Sequence, residues 1–159
     1  MNIFYLSHCP EEAAKMQCDK HVVKMILETA QLLSAAHRLL GSNVADDVYK
    51  LTHKNHPSAV WVRQSTENYD WTYQHFMALC REYTHRYGKI HLTQTKMAKL
   101  LCHYPDDLPF GYFTFPPKCM PDQYKDGSKS PINSYQAYYY GVKRNFAKYT
   151  NRRCPSFMV

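Results

Sequence analysis

A chain of 159 residues is long enough to bury one substantial core and short for two. Fourteen Tyr, seven Phe and two Trp against five Gly suit helices packed by large side chains, and exclude a turn-rich β-sandwich or a disordered polar chain. A net charge of +7 with nine His in reserve points to polyanionic partners, nucleic acid ahead of an anionic membrane, unless the charge serves only solubility.

Taken in order, residues 3–6 read as a short extended piece tucked into the core, because Ile3, Phe4, Tyr5 and Leu6 are too apolar for a free tail. The segment has no basic region and its apolar run is short, so it does not read as a signal peptide. Pro10, Glu11 and Glu12 suit a helix start. The first helix is expected to run from there, with a break near Cys18–Asp19, to about Leu40, where Gly41 ends it.

Val22, Met25, Ile26, Thr29, Leu32, Leu33, Ala36 and Leu40 recur at helical spacing and form its apolar face. His21, Lys24, Glu28 and Gln31 form a second stripe at the same period, roughly 120° from the centre of the first. That stripe follows the edge of the buried surface. An imidazole, an amine and a carboxylate stand there within about 10 Å of helix axis. One reading is a solvated face with a Lys24–Glu28 pair. The other is a cleft wall, where the carboxylate flanked by a cation and a histidine acts as base or charge stabiliser.

Residues 41–57 form a polar connection containing Thr52-His53-Lys54-Asn55-His56-Pro57. Its donors suit phosphate contact ahead of a helix start. Alternatively this is an ordinary polar loop in which His56 caps the next helix. A metal site lacks a carboxylate or thiolate nearby in sequence. Pro57 is expected to open one long helix to about Tyr87, with Trp61, Tyr69, Tyr73, Phe76, Leu79 and Tyr83 on its apolar stripe and Arg63 on another face. His75 reads as a packed or surface histidine. Gly88 stops the helix.

Thr93 is the expected N-cap of a short third helix with Met97, Leu100, Leu101 and Tyr104 facing inward. Tyr104 to Pro131 holds six of the nine prolines and reads as a long extended loop bearing Phe110, Tyr112, Phe113, Phe115 and Tyr124. It either packs over the core or serves as a lid or base-stacking surface. A last helix, capped by Ser134, is expected from Tyr135 to about Tyr149, with a tail over 150–159. Its tyrosines alternate with Lys143, Arg144 and Lys148, a pattern that suits stacking on bases and pairing with phosphates, or a tyrosine-rich core edge.

The six cysteines form no CxxC pair, so neither a disulfide framework nor a zinc module is indicated, and no metal or cofactor is expected. No run approaches eighteen apolar residues. The expectation is one all-α domain over 1–159, with three to four helices and a long Pro/aromatic-rich loop before the last. Its expected place is the cytoplasm, the host's if the protein is phage-encoded. Oligomeric state is left open.

Asp19-x-His21 with Glu28 seven residues on, His56 before a long second helix, and the aromatic, basic segment Tyr135 to Phe157 together resemble phage pyrimidine-dimer DNA glycosylases of the endonuclease V type. The Cys-Asp-Lys-His-Val-Val-Lys-Met pattern is similar to that of small phage proteins. The resemblance implies a helical domain that grips duplex DNA, turns out a damaged pyrimidine nucleotide and cleaves its glycosidic bond, with abasic-site lyase activity. In that family an N-terminal amine attacks the sugar C1′ and a first-helix glutamate, here Glu28, supports the charged intermediates. This chain departs from the family by beginning Met1-Asn2 rather than exposing a threonine, and by carrying Leu27 and Gln31 where the family has arginines. The amine then belongs to Met1 or is supplied by Lys24. Glu28, His21 and Lys24 are the expected catalytic group; His53, Lys54, His56, Arg63, Lys143 and Arg144 are the expected DNA-contacting group. The alternatives are a non-catalytic module binding nucleic acid or a host protein, and an enzyme acting on free nucleosides or nucleotides.

Overall fold

The computed structural model describes residues 1–159 and is entirely helical, with six α-helices and no strand. Helix α1 (Pro10–Met16) begins with proline in its first turn and two glutamates beside it. It stops because Gln17 turns extended and its buried side chain meets the carbonyl of Ile3 and the ring of His75. Helix α2 (Asp19–Leu40) begins after two non-helical residues, so the expected break lies at Gln17–Cys18. Gly41 ends α2 at φ 76°, a conformation that favours glycine.

The long helix expected over 57–87 is two helices, α3 (Pro57–Val62) and α4 (Thr66–Tyr87). Ser65 is extended and its Oγ accepts from Asn68 N at 3.2 Å, capping α4. The apolar stripe from Trp61 to Tyr83 runs through both helices; the serine cap divides them. Helix α5 (Leu92–Met97) is capped by His91, whose Nδ1 accepts from Thr93 N, rather than by Thr93 itself. Helix α6 (Pro131–Tyr138) is capped by Ser130, not Ser134, and runs into a π turn over Tyr139–Lys143 instead of continuing to Tyr149. Proline is at home in the first helical turn, which is why Pro131 opens this helix rather than closing the loop before it.

Helices α2 and α4 lie antiparallel. His37 near the end of α2 meets Tyr69 near the start of α4, and Arg86 at the end of α4 meets Asp19 at the start of α2. One core cluster spans Ile3 to Tyr139, so the N-terminal segment and the C-terminal helix share it. Residues 109–114 form a strap across the start of α4. Pro109 O and Gly111 O accept from Thr66 N and Glu67 N, and Asn68 Oδ1 accepts from Thr114 N at 2.9 Å. The strap thus satisfies amides that the first helical turn leaves open. No helix is long and apolar enough to cross a membrane.

Candidate active site

The edge stripe of α2 faces the N-terminal segment. Lys24 Nζ lies 3.3 Å from Glu28 Oε1, and the backbone nitrogen of Met1 lies 4.0 Å from Oε2. Glu28 keeps only 16% of its side chain exposed, whereas Lys24 keeps 63%. Around them is a cavity of about 190 Å³, whose wall includes Met1, Asn2, Phe4, His21, Tyr138 and Lys143. The three expected catalytic residues therefore share one cavity, and the carboxylate is on its wall rather than in bulk water.

The Asn2 side chain ties down the backbone next to the Met1 nitrogen. Asn2 Nδ2 donates to Cys119 O at 2.6 Å, while its Oδ1 accepts from Ile3 N at 2.8 Å and Phe4 N at 3.1 Å. This Asx turn delivers Phe4 at φ 55°, a left-handed conformation that costs a bulky residue on the order of 1–2 kcal/mol. The Phe4 ring then stacks on His21, with centroids 4.4 Å apart and planes 12° from parallel. The Met1 side chain is 3% exposed and anchors the segment.

His21 is held through Tyr139. Cys18 N–H donates to the Tyr139 hydroxyl at 2.8 Å, and that hydroxyl lies 2.8 Å from His21 Nδ1. Tyr139 is fully buried with no other acceptor beside it. If Nδ1 carried a proton, the tyrosine O–H would be left unpaired, at a cost of about 1–3 kcal/mol. The tyrosine therefore donates to Nδ1, and the ring proton resides on Nε2. Burial, with help from Lys143, Lys24 and Lys20, pushes His21 down to about 4, so the ring is neutral at pH 7. A neutral ring with Nδ1 engaged offers a hydrogen-bond donor, not a base.

The expected DNA-contacting residues divide. Lys143 lines the cavity, its Nζ 4.9 Å from the Tyr138 ring centroid. His56 caps α3, its Nδ1 accepting from Ser58 N at 3.1 Å. Burial and the N-terminal ammonium lower its pKa, and His56 is outside the cavity wall. Arg63, at the C-terminal end of α3, donates to Lys54 O at 2.8 Å on the loop before that helix, and the His53 ring is bonded to Thr52. His53, Lys54 and Arg63 are outside the cavity wall. Arg144 lies over Tyr140 at 4.8 Å and is outside it as well.

Sequence reasoning did not single out Phe4, the Tyr139–His21 pair or the Cys119 carbonyl. Asp19, read as part of the motif, has a structural bond set: Arg86 Nη1, Thr150 N and Thr150 Oγ1 all donate to it. No group of three or more His, Cys, Asp or Glu side chains is arranged to hold a metal ion, and all six cysteines are free.

An all-helical protein with an amine–carboxylate cleft on a basic, aromatic face is the class that this fold and cavity define. The cleft sets nitrogen groups beside a carboxylate, an arrangement able to stabilise developing charge. Residues 1–95, more than half of the chain, match the family model described as pyrimidine dimer DNA glycosylase. The chain belongs to that family, and DNA glycosylase is its functional class. No curated protein and no solved structure matches it.

Proposed function

We propose that this protein is a DNA glycosylase with abasic-site lyase activity, acting on a damaged pyrimidine nucleotide turned out of the duplex. The observation that carries the reading is the backbone nitrogen of Met1 at 4.0 Å from the largely buried Glu28 carboxylate. In its unprotonated form this amine attacks C1′. The bond from C1′ to the base breaks, and the base leaves with the electron pair and takes up a proton. Opening of the sugar ring, with O4′ protonated, leaves an iminium between C1′ and the amine. Loss of a C2′ proton then expels the 3′ phosphate, and water releases the sugar from the amine. Glu28 stabilises the positive charge that develops on the sugar. Turning the nucleotide out of the stack exposes C1′ to side chains.

Lys24 is the weaker nucleophile. Its side chain is largely exposed, and it lacks the burial that activates a catalytic lysine. Its ammonium and that of Lys143 serve the phosphates, with His53, Lys54, His56, Arg63 and Arg144 extending the basic surface. Borohydride reduction in the presence of duplex DNA with one abasic site tests the proposal. A covalent adduct mapped to residue 1 is the expected result. Absence of any adduct overturns the Schiff-base route, and an adduct on Lys24 reassigns the nucleophile.

A further inference from the structure

The ring of His21 is fixed from several directions. Phe4 covers one face, Tyr139 and Phe146 meet it edge-on at 5.3 and 6.0 Å, and Tyr139 holds Nδ1. A half-turn of the ring would replace Nδ1 by a carbon and leave the tyrosine hydroxyl without an acceptor. Nε2 has no partner within the protein, yet it is not sealed from solvent as the fully buried unpaired atoms are. The ring lines the same cavity as Lys24 and Lys143, and Lys20 lies nearby with Nζ 5.1 Å from the centroid of Phe146. A directed N–H beside several ammonium groups suits an anionic oxygen.

We propose that Tyr139 is a positioning residue, which by donating to Nδ1 of His21 presents Nε2–H to a non-bridging phosphate oxygen next to the target sugar. The proposal rests on the DNA-glycosylase reading above. Lysine supplies charge without direction; the locked imidazole supplies direction, and so sets how far the sugar enters towards Glu28 and the amine. The other titratable groups around the ring are Lys20, Lys24 and Glu28 of α2, the Met1 amine, Tyr138 and Lys143. Protonation of Nδ1 would oppose the tyrosine O–H and add a further cation to this set.

Binding is measured by anisotropy with a duplex carrying one tetrahydrofuran abasic-site analogue, which cannot react with the amine. Tyr139→Phe is expected to weaken binding about tenfold in the wild-type background. In a His21→Gln background, where the side chain keeps an N–H donor but has no tautomers, the same change is expected to cost less than about twofold. A merely structural tyrosine would cost the same in both backgrounds, and that result overturns the proposal. Nitrogen-15 spectra of His21 in the unmutated protein give a second test that survives if Tyr139→Phe fails to fold. The expected signature is a proton on Nε2 alone; a proton on Nδ1 overturns the lock. Should the wild-type protein not bind the duplex, the DNA reading and this proposal fall together, whereas equal losses in the two backgrounds sink this proposal alone.

Discussion

At the scale of single residues, environment rather than identity assigns the roles. His21 and His37 are both buried histidines of α2 that meet a tyrosine hydroxyl, yet their polarities are opposite. Tyr69 O–H donates to Leu101 O, so His37 Nε2 must donate to Tyr69, whereas His21 accepts from Tyr139. Glu28 is the residue on which catalysis is staked. Glu28→Gln keeps the shape and removes the charge, and is expected to lower turnover on abasic DNA by about 10²–10³ with binding little changed, as for loss of a group that acts on the transition state. Single-turnover nicking assays beside binding measurements check this; unchanged turnover would favour a module that only binds. Burial pushes His21 and His75 each down to about 4, against an ordinary value of 6.5. The unfolded chain takes up protons on these rings at a higher pH than the folded chain. Stability is therefore expected to fall as pH drops from about 6.5 towards 4, by up to roughly 3 kcal/mol per ring, with no contribution from these rings to a pH dependence above that window. Urea midpoints at pH 7.0, 5.5 and 4.5 read this directly, and a constant midpoint would contradict it.

At the scale of elements, local signals were read correctly where they were strong and missed where a weak one decided. The α2 stripe was legible because burial follows the helical period: His21 is buried, Lys24 exposed and Glu28 between the two. The break between α3 and α4 rests on Ser65 and Asn68, whose types are unremarkable for a helix. What makes Asn68 decisive is the strap: Nδ2 donates to Trp61 O and Thr114 Oγ1, and Oδ1 accepts from Thr114 N. The long Pro-rich segment is thereby a pinned brace, running from the start of α4 to Cys119 and so to Asn2 and the Met1 nitrogen. Asn68→Ala strips these bonds from a fully buried site and is expected to destabilise by about 2–4 kcal/mol, visible as a lowered denaturation midpoint. It is also expected to reduce borohydride trapping, because the brace positions the amine; normal trapping in the folded variant would dissociate the two.

At the scale of the whole molecule, the C-terminal tail is bound into the bundle by a buried ionic network. Arg152 meets Glu82 through two bonds of 2.8 Å, and Arg86, with its side chain fully buried, meets Glu82 and Asp19. Burial alone would raise Glu82, but the bonds from Arg152 and Arg86 outweigh it and hold the carboxyl below its usual range. Lys24 and Lys143 are the two lysines on the cavity wall, and DNA affinity is expected to fall steeply with salt. Lys143→Ala should reduce the slope of log K against log salt by about one, measured by titration at several salt concentrations; an unchanged slope would remove Lys143 from the phosphate contacts. The sequence by itself determined the helical class, the burial edge of α2 and the positions of Glu28, His21 and Lys24 on it, because helical period and side-chain polarity act over a few residues. Only the tertiary structure decided that Met1 and Asn2 close the cavity, that the Tyr139 hydroxyl meets His21 and that Cys119 anchors the N-terminus, since such partners lie on separate elements, the last two pairs more than a hundred residues apart, and meet only when the core has packed.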